Sequence, residues 1–360
     1  MKRLKTKLLV LGGASTLVLL AVVVLTVGKH LLLEAPKGDP NGVPQKFRVA
    51  PGESFHSVSD RLQKEGHVLS ATRFRILARL HGADRSIRPG TYLFYPARPP
   101  LDLLDDLVQG RLLMHRITIP EGWRLEQIAA ETERVLGIPA SDFVAKAADP
   151  NRLLSAGSRA TTVEGYLFPE TYFFEDGVGA DTVIDEMMAR FETNWAQISS
   201  GVDSLPLGLD RHAIVTLASI VEAETGVPSE RSRIAAVYLN RLAEEWKLQA
   251  DPTVRYALGK HDSDVVLYKD LEAKHPYNTY WIRGLPPGPI ASPGAAALEA
   301  AIHPLRPCDD FFFVASGDGG HVFSKTMRDH NQAKGAAKKK ARAEAARSGG
   351  ARLDGARRSG

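Results

Sequence analysis

Twenty consecutive residues without a charge, LLVLGGASTLVLLAVVVLTV (Leu8–Val27), follow the basic opening MKRLKTK and limit what the rest of the chain can do. As a helix, such a run matches one crossing of a ~30 Å hydrocarbon core. The four Lys/Arg before it favour a cytoplasmic amino terminus, which places everything after Lys29 outside. A cleaved signal peptide would carry a shorter apolar region and a small-x-small site, and TVGKHLLLEAPKG (Thr26–Gly38) offers no clear one. The expectation is an uncleaved single-pass transmembrane helix with an external body.

The 360 residues suffice for about two folded domains, and 44% hydrophobic with 24% charged residues is a globular composition. The net charge of +4 hides an asymmetry. From Lys334 to Gly360 nine Lys/Arg face two Asp/Glu, a charge of +7, which leaves −3 for the remainder. The basic character belongs to a tail without aromatics, so neither a nucleic-acid groove nor a base-stacking platform is indicated. The tail's composition predicts disorder, with a short helical stretch near Lys338–Arg347. Cys308 is the single cysteine, so an intrachain disulfide is impossible and no metal or cofactor motif is evident.

After a Pro- and Gly-rich linker, the chain repeats itself at an offset of 70 residues. FRVAPGESFHSVSDRL (Phe47–Leu62) aligns with ITIPEGWRLEQIAAET (Ile117–Thr132). Each copy predicts a strand, a turn at Gly52 or Gly122, and a helix, and a second helix follows with Ser70 or Ser141 as its N-cap. IRPGTYLFYP (Ile87–Pro96) supplies a strand to pair with the first. The strand–helix–helix–strand plan of residues 46–97 resembles a LysM module, and the resemblance implies contact with N-acetylglucosamine-containing glycan. EGYLFPETYFFEDG (Glu164–Gly177) is dense in aromatics expected mostly in a core. Tyr166 and Glu170 are the candidates there for sugar contact, since their polar ends need partners if buried.

ASIVEAET lies in a predicted core helix from Asp210 or Arg211 to about Thr225, apolar around most of its circumference. Two acids interrupt it, Glu222 and Glu224, pointing about 160° apart at 100° per residue. A carboxyl group walled by aliphatic side chains is pushed towards its protonated form, the condition for a general acid at a glycosidic bond. Downstream, Ser229 is the expected N-cap of the next helix, and Asp251 the expected cap of the one after Pro252. His321 has no partner at metal-ligand spacing and reads as structural.

Four motifs in order, ASIVEAET, NRL…LQADPTV, YNTY…GLPPGPIASPG and GGHVFS, resemble the YceG-like family of endolytic murein transglycosylases over about residues 117–331. The resemblance implies one catalytic glutamate at Glu222, with Glu224 shaping the site. Ala223 stands where many members carry lysine, which leaves burial alone to tune the acid. Asp251, Thr253, Asn278, Thr279 and Tyr280 are candidates for holding the sugars. The implied substrate is peptidoglycan glycan, the implied location the bacterial inner membrane, and the implied partners membrane-bound wall synthases. Two alternatives stay open: an inverting muramidase with Glu222 as acid and Asp251 as base, and a non-catalytic wall-binding scaffold. The expected architecture is α+β. It comprises a basic flank (1–7), a transmembrane helix (8–27), a linker (28–45), a LysM-like module (46–116), a catalytic domain (117–333) and the tail (334–360).

Overall fold

The computed structural model describes residues 2–152, 161–261, 263–317 and 319–340, with side chains from residue 18 onward. It is a mixture of helices and small two-stranded sheets in two compact units, Met1–His115 with Phe173–Gly177, and Arg116–Tyr172 with Val178–Gly360.

The first unit opens with helix α1 (Lys2–Leu33). Residues 8–17 of the expected anchor lie outside the described side chains, and among the described residues no helix is long and apolar enough to cross a membrane. Strand β1 (Gln45–Val49), helices α2 (Phe55–Lys64) and α3 (Ala71–Leu80) and strand β2 (Gly90–Phe94) follow in the expected order. The strands pair antiparallel with Phe47 opposite Tyr92, and alternation sends Phe47 and Val49 into the core. Ser54 and Ser70 cap the two helices by accepting from the amides of Ser57 and Arg73. Val58 and Leu62 of α2 meet Phe74 and Leu77 of α3 in that core. A further helix, α4 (Pro100–Gln109), closes it with Leu103, Leu104 and Leu107. Sequence reasoning passed over α4. Its signals were Pro100 in the first turn and Gly110, left-handed at φ 69°, at its end.

Strands β3 (Met114–Thr118) and β4 (Thr171–Glu175) form a second two-stranded sheet. The second unit contains the repeat's later copy, helices α5 (Leu125–Leu136) and α6 (Ala140–Ala147), entered through a turn at Gly122 with φ 78°. Ser141 does not cap α6. It lies inside the helix, and Pro139 holds the N-cap position. Helix α7 (Ala180–Ile198) precedes α8 (Arg211–Glu224), the expected core helix. Asp210 caps α8 through the amide of Ala213 at 2.8 Å. Its side chains from Ile214 to Val221 are buried on every face, packed against α9 (Arg231–Ala243) and α12 (Ala295–Ile302). Ser229 is not the cap of α9, because the chain makes a 3-10 turn at Pro228–Glu230 and enters the helix from Glu230. Short helices α10 (Asp251–Ala257) and α11 (Tyr268–Leu271) and the hairpin of β5 (Phe312–Ala315) and β6 (His321–Ser324) complete the unit. Residues 327–340 are helical, which includes 334–340 of the tail, and 341–360 lie outside the described residues.

Candidate active site

Glu222 stands in the last turn of α8 with its side chain 5% exposed. The wall around it is not purely aliphatic. Arg231 of α9 brings Nη2 to 3.0 Å from Glu222 Oε1, and the Gly294 amide donates to Oε2 at 3.0 Å. Gly294 is the N-cap of α12, so the carboxylate also meets the positive end of that helix. The expectation that burial alone would act on this acid is therefore corrected: a guanidinium and a helix terminus face it. A second carboxylate is close by. Glu121, just before the Gly122 turn, places Oε2 3.7 Å from the same Arg231 Nη2, and burial first, then the charge of Glu222, pushes its pKa up. The turn is strapped to the start of α12 by Gly122 N to Ser292 O at 2.9 Å and Ser292 N to Trp123 O at 2.8 Å. Neither Glu121 nor Arg231 was singled out from the sequence. A glutamate before a glycine turn and an arginine in a helix's first turn carry no pattern that betrays their meeting.

Glu224 points elsewhere, as the 160° separation requires. It accepts from the Tyr238 hydroxyl at 2.5 Å, and burial raises its pKa to about 7. Asp251 is not the cap of α10. It opens that helix as its first residue and accepts from the Tyr280 hydroxyl at 2.7 Å, acting electrostatically on Glu224. Thr253, Asn278 and Thr279 are fully buried, which removes them from contact with a glycan. Thr253 and Thr279 pair through their hydroxyls at 2.9 Å, while Asn278 donates to the carbonyls of Leu271 and Ala273. These are internal struts that hold the YNTY segment against α10. His321 pairs with Glu230, its Nδ1 2.7 Å from Oε2.

Tyr166 is also internal. Its hydroxyl meets His212 Nδ1 at 2.9 Å. The other ring nitrogen lies 2.9 Å from the Pro287 carbonyl, which can only accept, so Nε2 carries the proton and Nδ1 accepts from the tyrosine. The pair pins the Pro-rich segment to α8. Glu170 forms a surface ion pair with Arg190. An acid that sequence reasoning missed, Glu164, is fully enclosed, accepts the Leu125 amide at the start of α5, and has its pKa raised by burial to about 8. Arg124, Tyr256 and Tyr277 line a cleft of about 570 Å³, with the two tyrosine rings tilted at 42° and their centroids 4.8 Å apart. Among the described residues no three His, Cys, Asp or Glu side chains converge as a metal set.

Comparison with known proteins matches residues 47–336 to the profile of the YceG-like family. The chain belongs to the YceG-like family. An endolytic murein transglycosylase of Bacillus subtilis is 34% identical over 326 residues, covering 85% of this chain and 88% of that protein. One from Streptococcus pneumoniae is 29% identical over 315 residues, and the chain spans 56% of its length. A YceG-like protein of Listeria monocytogenes has a crystal structure that aligns with TM-score 0.56 at 31% identity, over 80% of this chain and 98% of that one. The YceG-like match includes Glu121, Glu222, Arg231 and Gly294, so the whole cluster lies within the family's domain.

Proposed function

We propose that this chain is an endolytic murein transglycosylase, which cuts glycan between N-acetylmuramic acid and N-acetylglucosamine and leaves 1,6-anhydro ends. The observation that carries the reading is the position of Glu222, nearly enclosed yet bonded to a cation and a backbone amide, in a chain whose relatives bear that name. Glu222 protonates the leaving oxygen as an oxocarbenium-like centre develops at C1. As a carboxylate it then takes the proton of the muramoyl C6 hydroxyl, which closes on C1. A tethered nucleophile makes a second catalytic acid unnecessary, because the hydroxyl is already held close. The Gly294 amide and Arg231 suit the carboxylate form that the second step needs. The cleft at Tyr256 and Tyr277 offers ring faces for sugars. The α1 segment serves as a membrane anchor, consistent with the exposed apolar side chains from Val18 to Val27. The module of residues 46–116 adds glycan contact, and membrane-bound wall synthases supply the nascent strands that the enzyme terminates.

The test is mass spectrometry of products from uncrosslinked glycan strands, with the full chain in detergent and its Glu222→Gln variant. Anhydromuramoyl ends from the parent, reduced at least about a hundredfold in the variant, are expected. Reducing ends would replace the reading with hydrolysis. Binding without cutting by either protein would leave a scaffold.

A further inference from the structure

A carboxyl group that must give up a proton is poorly served by a permanent guanidinium partner, because the pair favours the ionised form. The reading of Glu222 as acid and base, on which this inference rests, therefore needs a way to move Arg231 aside before the first step. The local geometry supplies one. Arg231 Nη2 lies 3.0 Å from Glu222 and 3.7 Å from Glu121, so one guanidinium stands between two carboxylates. Its Nε is buried without a hydrogen-bond partner, which leaves the group incompletely held where it is. Glu121 has a defined seat, because a Cβ on Gly294 would fall 1.9 Å from Glu121 Oε1. The two acids thus flank one glycine, Glu222 at its amide and Glu121 at its α-carbon.

We propose that Glu121 is a positioning residue that takes Arg231 from Glu222 whenever Glu222 is protonated, so that two carboxylates share one guanidinium and one proton. With the proton on Glu222, Arg231 and Glu121 form a neutral pair and the acid is free to act. The C1–O4 bond breaks and its oxygen takes that proton. Glu222, now charged, recovers Arg231. The C6 hydroxyl then forms the C1–O6 bond, its proton returns to Glu222, and Arg231 moves back to Glu121. No proton is gained or lost over the cycle. The charged groups facing this cluster are Glu222 from α8, Arg231 from α9 and Glu121 from the turn, with the Gly294 amide from α12. Asp251 and Arg255 of α10 and His321 of β6 act on Glu224. The raised pKa of Glu121, from burial and then from Glu222, agrees with one proton being shared.

Two variants remove Glu121 from the exchange by different routes. Glu121→Gln abolishes its charge. Gly294→Ala keeps the amide that holds Glu222 but occupies the seat of the Glu121 carboxylate, a flexible end that can swing away. In the full chain, both are expected to move the alkaline limb of the pH–rate profile down by about one unit, costing about tenfold at neutral pH and less as pH falls. Glu121→Asp should recover part of the shift. A loss by the same factor at every pH, or no change, overturns the proposal. Carbon-13 carboxyl NMR of Glu222 reads the same exchange without turnover: a titration unmoved in Glu121→Gln overturns it even if the parent cuts. Retention of cutting in Glu222→Gln would instead sink the functional reading, separately from what the titration shows.

Discussion

Glu164 shows how one residue sets a property of the whole unit. It is enclosed, bonded to the Leu125 amide, and its pKa stands at about 8 against an ordinary 4.5. Between those values the unfolded chain binds fewer protons at this site than the folded one, so stability falls as pH rises from about 4.5 through about 8. Glu224, raised to about 7, contributes in the same direction. Urea unfolding across that range should show a declining stability in the parent and a flatter curve in Glu164→Gln, and a parent curve that rises instead would contradict the assignment. The residue scale is also where sequence reasoning was least complete. Acids inside an apolar helix are visible from periodicity, which is why Glu222 and Glu224 stood out. Their partners are not, since Arg231, Glu121 and Gly294 come from three other elements and are brought together by tertiary packing. Aliphatic neighbours at i−4 and i−7 are legible in the sequence, but a guanidinium from the next helix is not.

At the scale of elements, legibility followed local physics. The strand–helix–helix–strand order, the α8 span and the cap Ser70 depend on contacts within a few residues, and they are readable. Ser141, Ser229 and Asp251 were read as caps by the same rule and are not, because a neighbouring proline or 3-10 turn shifts where each helix begins. The YNTY segment failed differently. Its amide and hydroxyls suit sugars, yet Asn278 and Thr279 spend them on backbone groups and on Thr253, while Tyr277 of the same motif lines the cleft. Asn278→Ala should therefore cost about 3 kcal/mol in denaturant unfolding, since it removes a fully buried side chain that donates to two carbonyls and accepts the Tyr280 amide. A loss of activity with unchanged stability would return Asn278 to the substrate.

At the scale of the molecule, charge and hydropathy divide the chain into three parts: an uncharged run near the start, a slightly acidic body and a basic end. Under the proposed anchoring, the full chain should sediment with membranes through an alkaline carbonate wash, and removal of Lys2–Leu33 should release it; a full chain freed by carbonate alone would overturn the anchor. The cluster at Glu222 has a consequence for how such a chain is made. Its acids come from residues 121 and 222, the guanidinium from 231, and the glycine that both acids press against from 294. A polypeptide made from its amino terminus presents the acids first and their common support after them. Until that late segment arrives, the two acids lack the glycine they both press against, and Glu222 lacks the amide that holds it.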